Sequence, residues 1–210
     1  MQARWPGFLP AGRRQHFEPM IDLIKRYKWW LFGIIFLGGL ATWVERWRTQ
    51  HEHSQDAVIL AASRKHGVEP ALVKAVVWRE SWFNPNAKGT SGEVGLMQIM
   101  KDTANDWATA QRVPMFTHHQ LFDPALNTDC GAWYLRKLLM RYRNTDNPTI
   151  FTLAAYNAGP TRVTKWSQGG TVTNSVAFLQ QMDFRGTKKY VLSVSERYQY
   201  YRKSFPTKQG

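Results

Sequence analysis

The fold is decided by the stretch PALVKAVVWRESWF at residues 70–83. Val73, Val76 and Val77 recur at helical spacing and give this stretch one apolar face. Because proline is tolerated in the first turn of a helix, Pro70 marks its start. The stretch therefore predicts a helix, ending near residue 82, that packs its valine face into a hydrophobic core.

Outward from this helix, the sequence predicts further helices and almost no strand. Their ranges are about 55–66, 102–112, 124–142, 148–158 and 187–203. Gly67 closes the first of them, and Asp102 and Asp123 are predicted N-caps. The glycine-broken run at about 93–99 is too short for a good helix and predicts a small hairpin. The predicted fold class is mainly α, with a minimal β hairpin.

Glu80 lies on the apolar face of the central helix, because the three valines precede it by seven, four and three positions. Burial of a carboxyl group and proximity to the negative end of a helix both disfavour the charged form, so both raise its pKa. A carboxyl group that stays protonated near neutral pH can serve as a general acid. Periodicity alone leaves open the alternative that Glu80 pairs with a nearby cation.

Other polar residues occupy similarly unusual positions. Asn157 falls on the predicted interior face of the helix at 148–158, and Tyr156 stands next to it. Gln98 follows Gly95 in a segment where missing side chains allow a ligand close to the backbone. Together these side chains could bind the N-acetyl and hydroxyl groups of a sugar, although each amide alone is more typical of a cap. Tyr190 belongs to a tyrosine stripe that is typical of a helix core.

The first third of the chain predicts a membrane anchor. Residues 29–44 have the sequence WWLFGIIFLGGLATWV, which is free of charge and carries tryptophan at both ends. Most nearby Lys and Arg residues precede this run, so the N-terminus is predicted to face the cytoplasm. A cleaved signal peptide, with Gly39 and Ala41 before the cut, is the alternative.

Composition narrows the class of partner. The 210 residues carry a formal net charge of +13, from 28 Lys and Arg against 15 Asp and Glu. This charge favours an anionic partner, such as a lipid surface, a nucleic acid or a cell-wall polymer. The basic residues are dispersed and form no RNA-binding signature, which argues against nucleic acid. Cys130 is the single cysteine and predicts a buried small side chain; neither a metal nor an organic cofactor is expected.

Four short motifs resemble those of the soluble lytic transglycosylase family in order and spacing. They are Glu80-Ser81, Gly95-Leu96-Met97-Gln98, Ala155-Tyr156-Asn157-Ala158-Gly159 and Tyr190-Val191. The resemblance covers about residues 55–203 and implies an α+β, goose-lysozyme-like domain that is mainly α. It also implies cleavage of the β-1,4 bond between N-acetylmuramic acid and N-acetylglucosamine in peptidoglycan, with formation of 1,6-anhydromuramic acid ends.

The resemblance further implies a role for each motif residue. Glu80 would be the single acid and base, and Tyr190 would bond its carboxyl group. Tyr156 would assist the N-acetyl group of the substrate. The remaining substrate-binding residues would be Ser81, Met97, Gln98 and Asn157. The sequence departs from the family pattern at Gly89, at Gly186 and after Gln98, where Met100 or Lys101 stands in place of a common proline.

These observations predict four consecutive parts of the chain. They are a basic cytoplasmic segment at 1–28, a transmembrane anchor at 29–47, a linker at 48–54 and a catalytic domain at 55–206. The predicted location is a bacterial inner (cytoplasmic) membrane, crossed once, with the catalytic domain on the periplasmic or extracytoplasmic side. Peptidoglycan strands are the predicted partner, and envelope-machinery proteins are further candidates. Two other functions stay open: a hydrolytic muramidase with Glu93 as second carboxylate, and a non-catalytic, membrane-tethered peptidoglycan-binding module.

Overall fold

A computed structural model describes the backbone of residues 18–205 and the side chains of residues 25–205. The predicted cytoplasmic segment therefore lies mostly outside the described residues. The α-helices are α1 (Glu18–His53), α2 (Asp56–His66), α3 (Pro70–Ser81), α4 (Lys101–Ala110), α5 (Pro124–Arg141), α6 (Pro148–Ala158), α7 (Pro160–Trp166), α8 (Ser175–Gln181) and α9 (Arg185–Ser204). Short 3-10 helices lie at His118–Phe122 and Gln168–Gly170.

The β content of the described residues consists of two isolated antiparallel bridges. They join Lys88 to Val94 and Val94 to Ile99. The second bridge closes the segment for which the sequence predicts a hairpin. The mainly α class, with a minimal β element, is thus confirmed.

Most predicted helix ends have the expected local cause. Gly67 adopts a left-handed conformation with φ of 63° and ends α2. The Asp123 carboxylate accepts a hydrogen bond of 2.8 Å from the backbone N–H of Leu126 and caps α5. The prediction for Asp102 is wrong, because α4 begins one residue earlier and Asp102 lies inside its first turn. An acidic residue there still complements the helix dipole.

Two short helices escape the sequence-based prediction. The predicted stop at Gly159 does end α6, but Pro160 then occupies the first position of α7. Proline suits that position because its missing N–H has no partner inside the helix. Both α7 and α8 contain only seven residues, which is too few to show a clear helical period.

The core of the domain surrounds α3. Its residues 71–77 are all buried, and α2 and α9 pack against the helix. Cys130 is buried in the same core, as predicted. The valine face of α3 therefore lies at the centre of the fold and carries Glu80 at its end.

The chain divides into two compact units, residues 1–49 and residues 50–210. In the first unit, α1 presents its apolar side chains to the exterior: Trp29 is 72% exposed and Ile35 is 74% exposed. Within the described residues, one N-terminal helical stretch is long and apolar enough to cross a membrane. Residues 50–53, which the sequence predicts as part of a linker, continue α1 as helix and belong to the second unit.

Candidate active site

Glu80 is the penultimate residue of α3, and its carboxyl group meets a single long-range hydroxyl donor. The hydroxyl of Tyr190 on α9 donates a hydrogen bond of 2.6 Å to Glu80 Oε1. Tyr190 is only 3% exposed, and its pKa is raised well above 10 by burial and by the negative charge of Glu80. A donor fixed by the core thus holds one oxygen of Glu80 in place.

The pKa of Glu80 is raised from 4.5 to about 7. Burial is the main cause, and the negative charge of Glu93 adds to it. The hydrogen bond from Tyr190 and the positive charge of Arg79 act in the opposite direction. The Arg79 guanidinium lies 5.5 Å from the centre of the Tyr190 ring. The carboxyl group is therefore poised to hold or release a proton near neutral pH.

The segment Val94–Ile99 lies beside Glu80 and is held by side chains from three helices. From α3, the Ser81 hydroxyl donates to the carbonyl of Leu96 at 2.8 Å. From α6, the Tyr156 hydroxyl donates to the carbonyl of Met97 at 2.8 Å. The charge of Glu80 contributes to a raised pKa of Tyr156, after burial as the main cause. Glu80, Ser81, Tyr156 and Tyr190 are thus gathered in one place.

Asn127 on α5 is the third support, and sequence reasoning missed it. Its amide oxygen accepts from the Met97 N–H at 2.8 Å, and its amide nitrogen donates to the carbonyls of Val94 and Leu121. The residue is fully buried. A polar residue on the buried side of a helix is the signal that identified Glu80. The same signal could have identified Asn127.

Two glycines make this close packing possible. A Cβ atom on Gly95 would lie 2.1 Å from Asn127 Nδ2 and 2.5 Å from the Leu121 carbonyl oxygen. A Cβ atom on Gly131 would lie 2.2 Å from Met97 Sδ. The predicted purpose of Gly95, close approach of a ligand to the backbone, is therefore wrong: the space beside it is filled by the protein itself.

Gln98 and Met97 both belong to the segment at residues 94–99. Gln98 adopts a left-handed φ of 48°, and its amide donates to the carbonyls of Gly95 at 2.9 Å and Ala87 at 3.2 Å. The side chain of Met97 is fully buried. Gln98 stays partly accessible, so it is the residue of this pair that is open to solvent.

The predicted interior orientation of Asn157 is wrong. Its side chain is exposed, and its oxygen accepts a hydrogen bond of 2.8 Å from the Thr187 hydroxyl on α9. The buried face of α6 ends with Ala155, and the last turn projects beyond the core. Asn157 instead joins the end of α6 to the helix that carries Tyr190.

Glu93 lies close enough to Glu80 for its charge to raise the Glu80 pKa. Its carboxylate accepts from the backbone N–H of Ser91 at 2.9 Å. A Cβ atom on Gly89 would lie 2.1 Å from Glu93 Oε2 and 2.9 Å from Gln98 Oε1. Gly89, one of the departures from the family pattern, thus leaves room for both side chains. Among the described residues, no group of three or more His, Cys, Asp or Glu side chains is arranged to hold a metal ion.

Comparison with known proteins places this geometry in a family context. The family described as "Transglycosylase SLT domain" matches residues 57–174. The soluble lytic murein transglycosylase of Escherichia coli is 38% identical over 138 residues, which is 64% of this chain and 21% of that protein. Membrane-bound lytic murein transglycosylase C of Shigella sonnei is 38% identical over 113 residues, 51% of this chain and 32% of that protein. The crystal structure of the 70-kDa soluble lytic transglycosylase of Escherichia coli matches with a TM-score of 0.64 and 32% identity, over 72% of this chain and 24% of that one.

Proposed function

The chain belongs to the SLT transglycosylase family, and on that premise we propose that its domain cleaves peptidoglycan strands without water, with Glu80 as the single acid and base. The observation that carries the proposal is the partly buried Glu80 carboxyl group, whose pKa is about 7 and whose oxygen is held by Tyr190. Because the chain spans about a fifth of the length of its soluble murein transglycosylase relative, the activity of that longer protein is carried over here only as a proposal.

In the first step, protonated Glu80 donates its proton to the oxygen of the bond between N-acetylmuramic acid and N-acetylglucosamine. The bond from this oxygen to the anomeric carbon breaks, and the N-acetylglucosamine side leaves as an alcohol. Positive charge develops at the anomeric carbon, and the substrate's N-acetyl group stabilises it. A protonated acid is available for this step because burial keeps the Glu80 pKa near 7.

In the second step, the Glu80 carboxylate takes the proton of the 6-hydroxyl group of the same muramic acid. The freed oxygen bonds to the anomeric carbon and closes the 1,6-anhydro ring, so no water is consumed. One carboxyl group serves both steps because it regains the proton that it gave. The Tyr190 hydroxyl favours the charged form between the steps, since it donates to the carboxylate.

The other motif residues support this chemistry in different ways. We assign Tyr156 and Gln98 to substrate binding beside Glu80, and Asn157, whose side chain is exposed, to the edge of the site. We assign Ser81 to positioning residues 94–99, because its hydroxyl donates to the Leu96 carbonyl, and Met97 to the buried support of that segment.

A hydrolytic muramidase is the second candidate, because Glu93 is near enough to influence Glu80. In that reaction Glu93 would act as the base that activates water. Its carboxylate instead accepts a loop N–H, which favours a structural role for Glu93.

The test is mass analysis of the fragments released from purified peptidoglycan. Anhydro-ended fragments, lighter by one water than hydrolysed ones, are expected from the wild type and from Glu93→Gln. Glu80→Gln is expected to bind sacculi without cleaving them. Reducing ends from the wild type, lost in Glu93→Gln, would establish the muramidase instead. Binding without turnover by the wild type would establish a non-catalytic module.

We further propose that residues 29–47 of α1 cross the inner membrane once, with the domain on the periplasmic side. The exposed apolar surface of α1 and the likeness to a membrane-bound transglycosylase support this. Full-length protein should stay in the membrane pellet after alkaline carbonate extraction. Protease added to spheroplasts should digest the domain; a protected domain would reverse the topology, and a soluble product starting after Ala41 would indicate a cleaved signal.

A further inference from the structure

Three consecutive residues at the end of α1, all within the second unit, contact other residues of that unit. His51 Nε2 lies 2.7 Å from the carbonyl oxygen of Trp82. Glu52 accepts from Arg197 and from Tyr201, each at 2.6 Å. His53 lies 2.6 Å from Asp56. Of these three, His51 reaches the end of α3, where Glu80 is located.

The end of α3 has an unusual backbone. Trp82 and Phe83 follow one another with φ of 52° and 63°, in the left-handed region where residues other than glycine are uncommon. Such conformations persist only where surrounding contacts impose them. Burial imposes the left-handed conformation of Phe83, because its side chain is 1% exposed. Trp82 is 37% exposed, so its side chain is less constrained by the core.

His51 supplies contacts to this turn. The carbonyl of Trp82 follows the last residue of α3, where carbonyls lack a partner inside the helix. Because a carbonyl only accepts, His51 Nε2 must carry the proton and donate it. The His51 ring also lies 5.5 Å from the Trp82 ring and 6.3 Å from the Phe83 ring, between centres.

We propose that His51 is a positioning residue for Glu80, which acts by holding Trp82 in its left-handed conformation. Two peptide bonds join Glu80 to Trp82, so a change at Trp82 alters the last turn of α3. Ser81 fixes the same turn from the other side through its bond to Leu96. The effect of His51 passes to Glu80 through the contact with the Trp82 carbonyl and the backbone between Trp82 and Glu80.

The inference rests on the proposed function, because it requires Glu80 to be the reacting group. A displacement of about 1 Å in a catalytic group can lower the rate about 100-fold. Loss of the His51 contact should therefore lower kcat by about 10- to 100-fold and leave KM within about twofold, because substrate contacts are retained.

The experiment compares full-length variants in detergent, with kcat and KM measured on soluble, uncross-linked peptidoglycan strands. His51→Ala removes the donor, and His51→Gln restores one, since a glutamine amide can reach a similar position. His119→Ala is the matched control, because His119 is exposed and packs on Phe122. Trp82→Gly in the His51→Ala background tests the backbone step, since glycine adopts positive φ freely.

The expected result is a kcat loss in His51→Ala, recovery to within about threefold of wild type in His51→Gln, and partial recovery with Trp82→Gly. His119→Ala should match the wild type. An unchanged kcat in His51→Ala, or a loss that neither Gln nor Trp82→Gly reduces, would overturn the inference. If His51→Ala fails to fold, His51→Gln decides alone: kcat within about threefold of wild type supports the inference, and a larger loss of kcat overturns it. Absence of cleavage by wild type would instead overturn the proposed function.

Discussion

Replacing Glu80 with glutamine should stabilise the protein at alkaline pH. The wild-type carboxyl group has a pKa of about 7 in the folded state and of 4.5 when unperturbed. A carboxyl group whose folded pKa is raised ionises more easily in the unfolded chain. Ionisation therefore lowers the free energy of unfolding of the wild type. This free energy is highest below pH 4.5, falls between pH 4.5 and 7, and stays at its lower value above pH 7. Glutamine keeps an oxygen that can accept from Tyr190 but has no charge to lose.

The size of the effect follows from the two pKa values. The difference of about 2.5 corresponds to about 3 kcal/mol at pH 8, because each pKa unit is worth about 1.4 kcal/mol. For a domain of this size, that is about 6 to 12 °C in Tm. At pH 4.5 the two proteins should unfold together.

The assay is urea and thermal unfolding of residues 50–210, followed by circular dichroism at pH 4.5, 6 and 8. These residues contain the whole described hydrophobic core. Glu196→Gln, which removes an exposed carboxyl group on α9, is the matched control. A stability difference that is the same at all three pH values, or a less stable Glu80→Gln protein at pH 8, would refute the reasoning.

Two further predictions concern the hydrogen bond from Tyr190 and the close packing at Gly95. Tyr190→Phe removes a hydrogen bond that favours the Glu80 carboxylate, so the Glu80 pKa should rise further. The alkaline limb of the pH profile of kcat should therefore move to higher pH by about one unit. Movement of this limb to lower pH would contradict the prediction. Gly95→Ala should lower the free energy of unfolding by about 2 kcal/mol or more in urea titrations, because its Cβ meets Asn127 and the Leu121 carbonyl. Gly92→Ala is its control, since Gly92 also has positive φ but no atom within 4 Å of the added Cβ, and an equal loss in both would show that backbone strain alone is responsible.

The sequence predicts the helices of the core well because each one repeats its apolar face over several turns. The apolar face of α3 indicates both the helix and the misplaced carboxyl group at its end. The contact between Tyr190 and Glu80 agrees with the role that the family resemblance implies, despite the departure at Gly186. The shorter α7 and α8 leave no such pattern, so their residues look like loop.

The residues that hold the site in place are harder to predict from the sequence, because they contact residues that are far away along the chain. Asn127 bonds to Met97, which lies 30 residues away, and no local pattern encodes that pairing. Asn157 has the spacing of an interior residue but lies beyond the last buried turn of α6. Periodicity defines the direction of a side chain, and it does not define where the core ends.

Glu80 and Tyr190 are separated by 110 positions along the chain. A ribosome therefore finishes α3 long before it reaches the helix that covers it. Until α9 arrives, the Glu80 carboxyl group lacks its tyrosine donor and part of the burial that raises its pKa. The proposed acid is thus assembled only after α9 has been synthesised. A chain without α9 would lack the hydroxyl donor that holds the Glu80 carboxyl group.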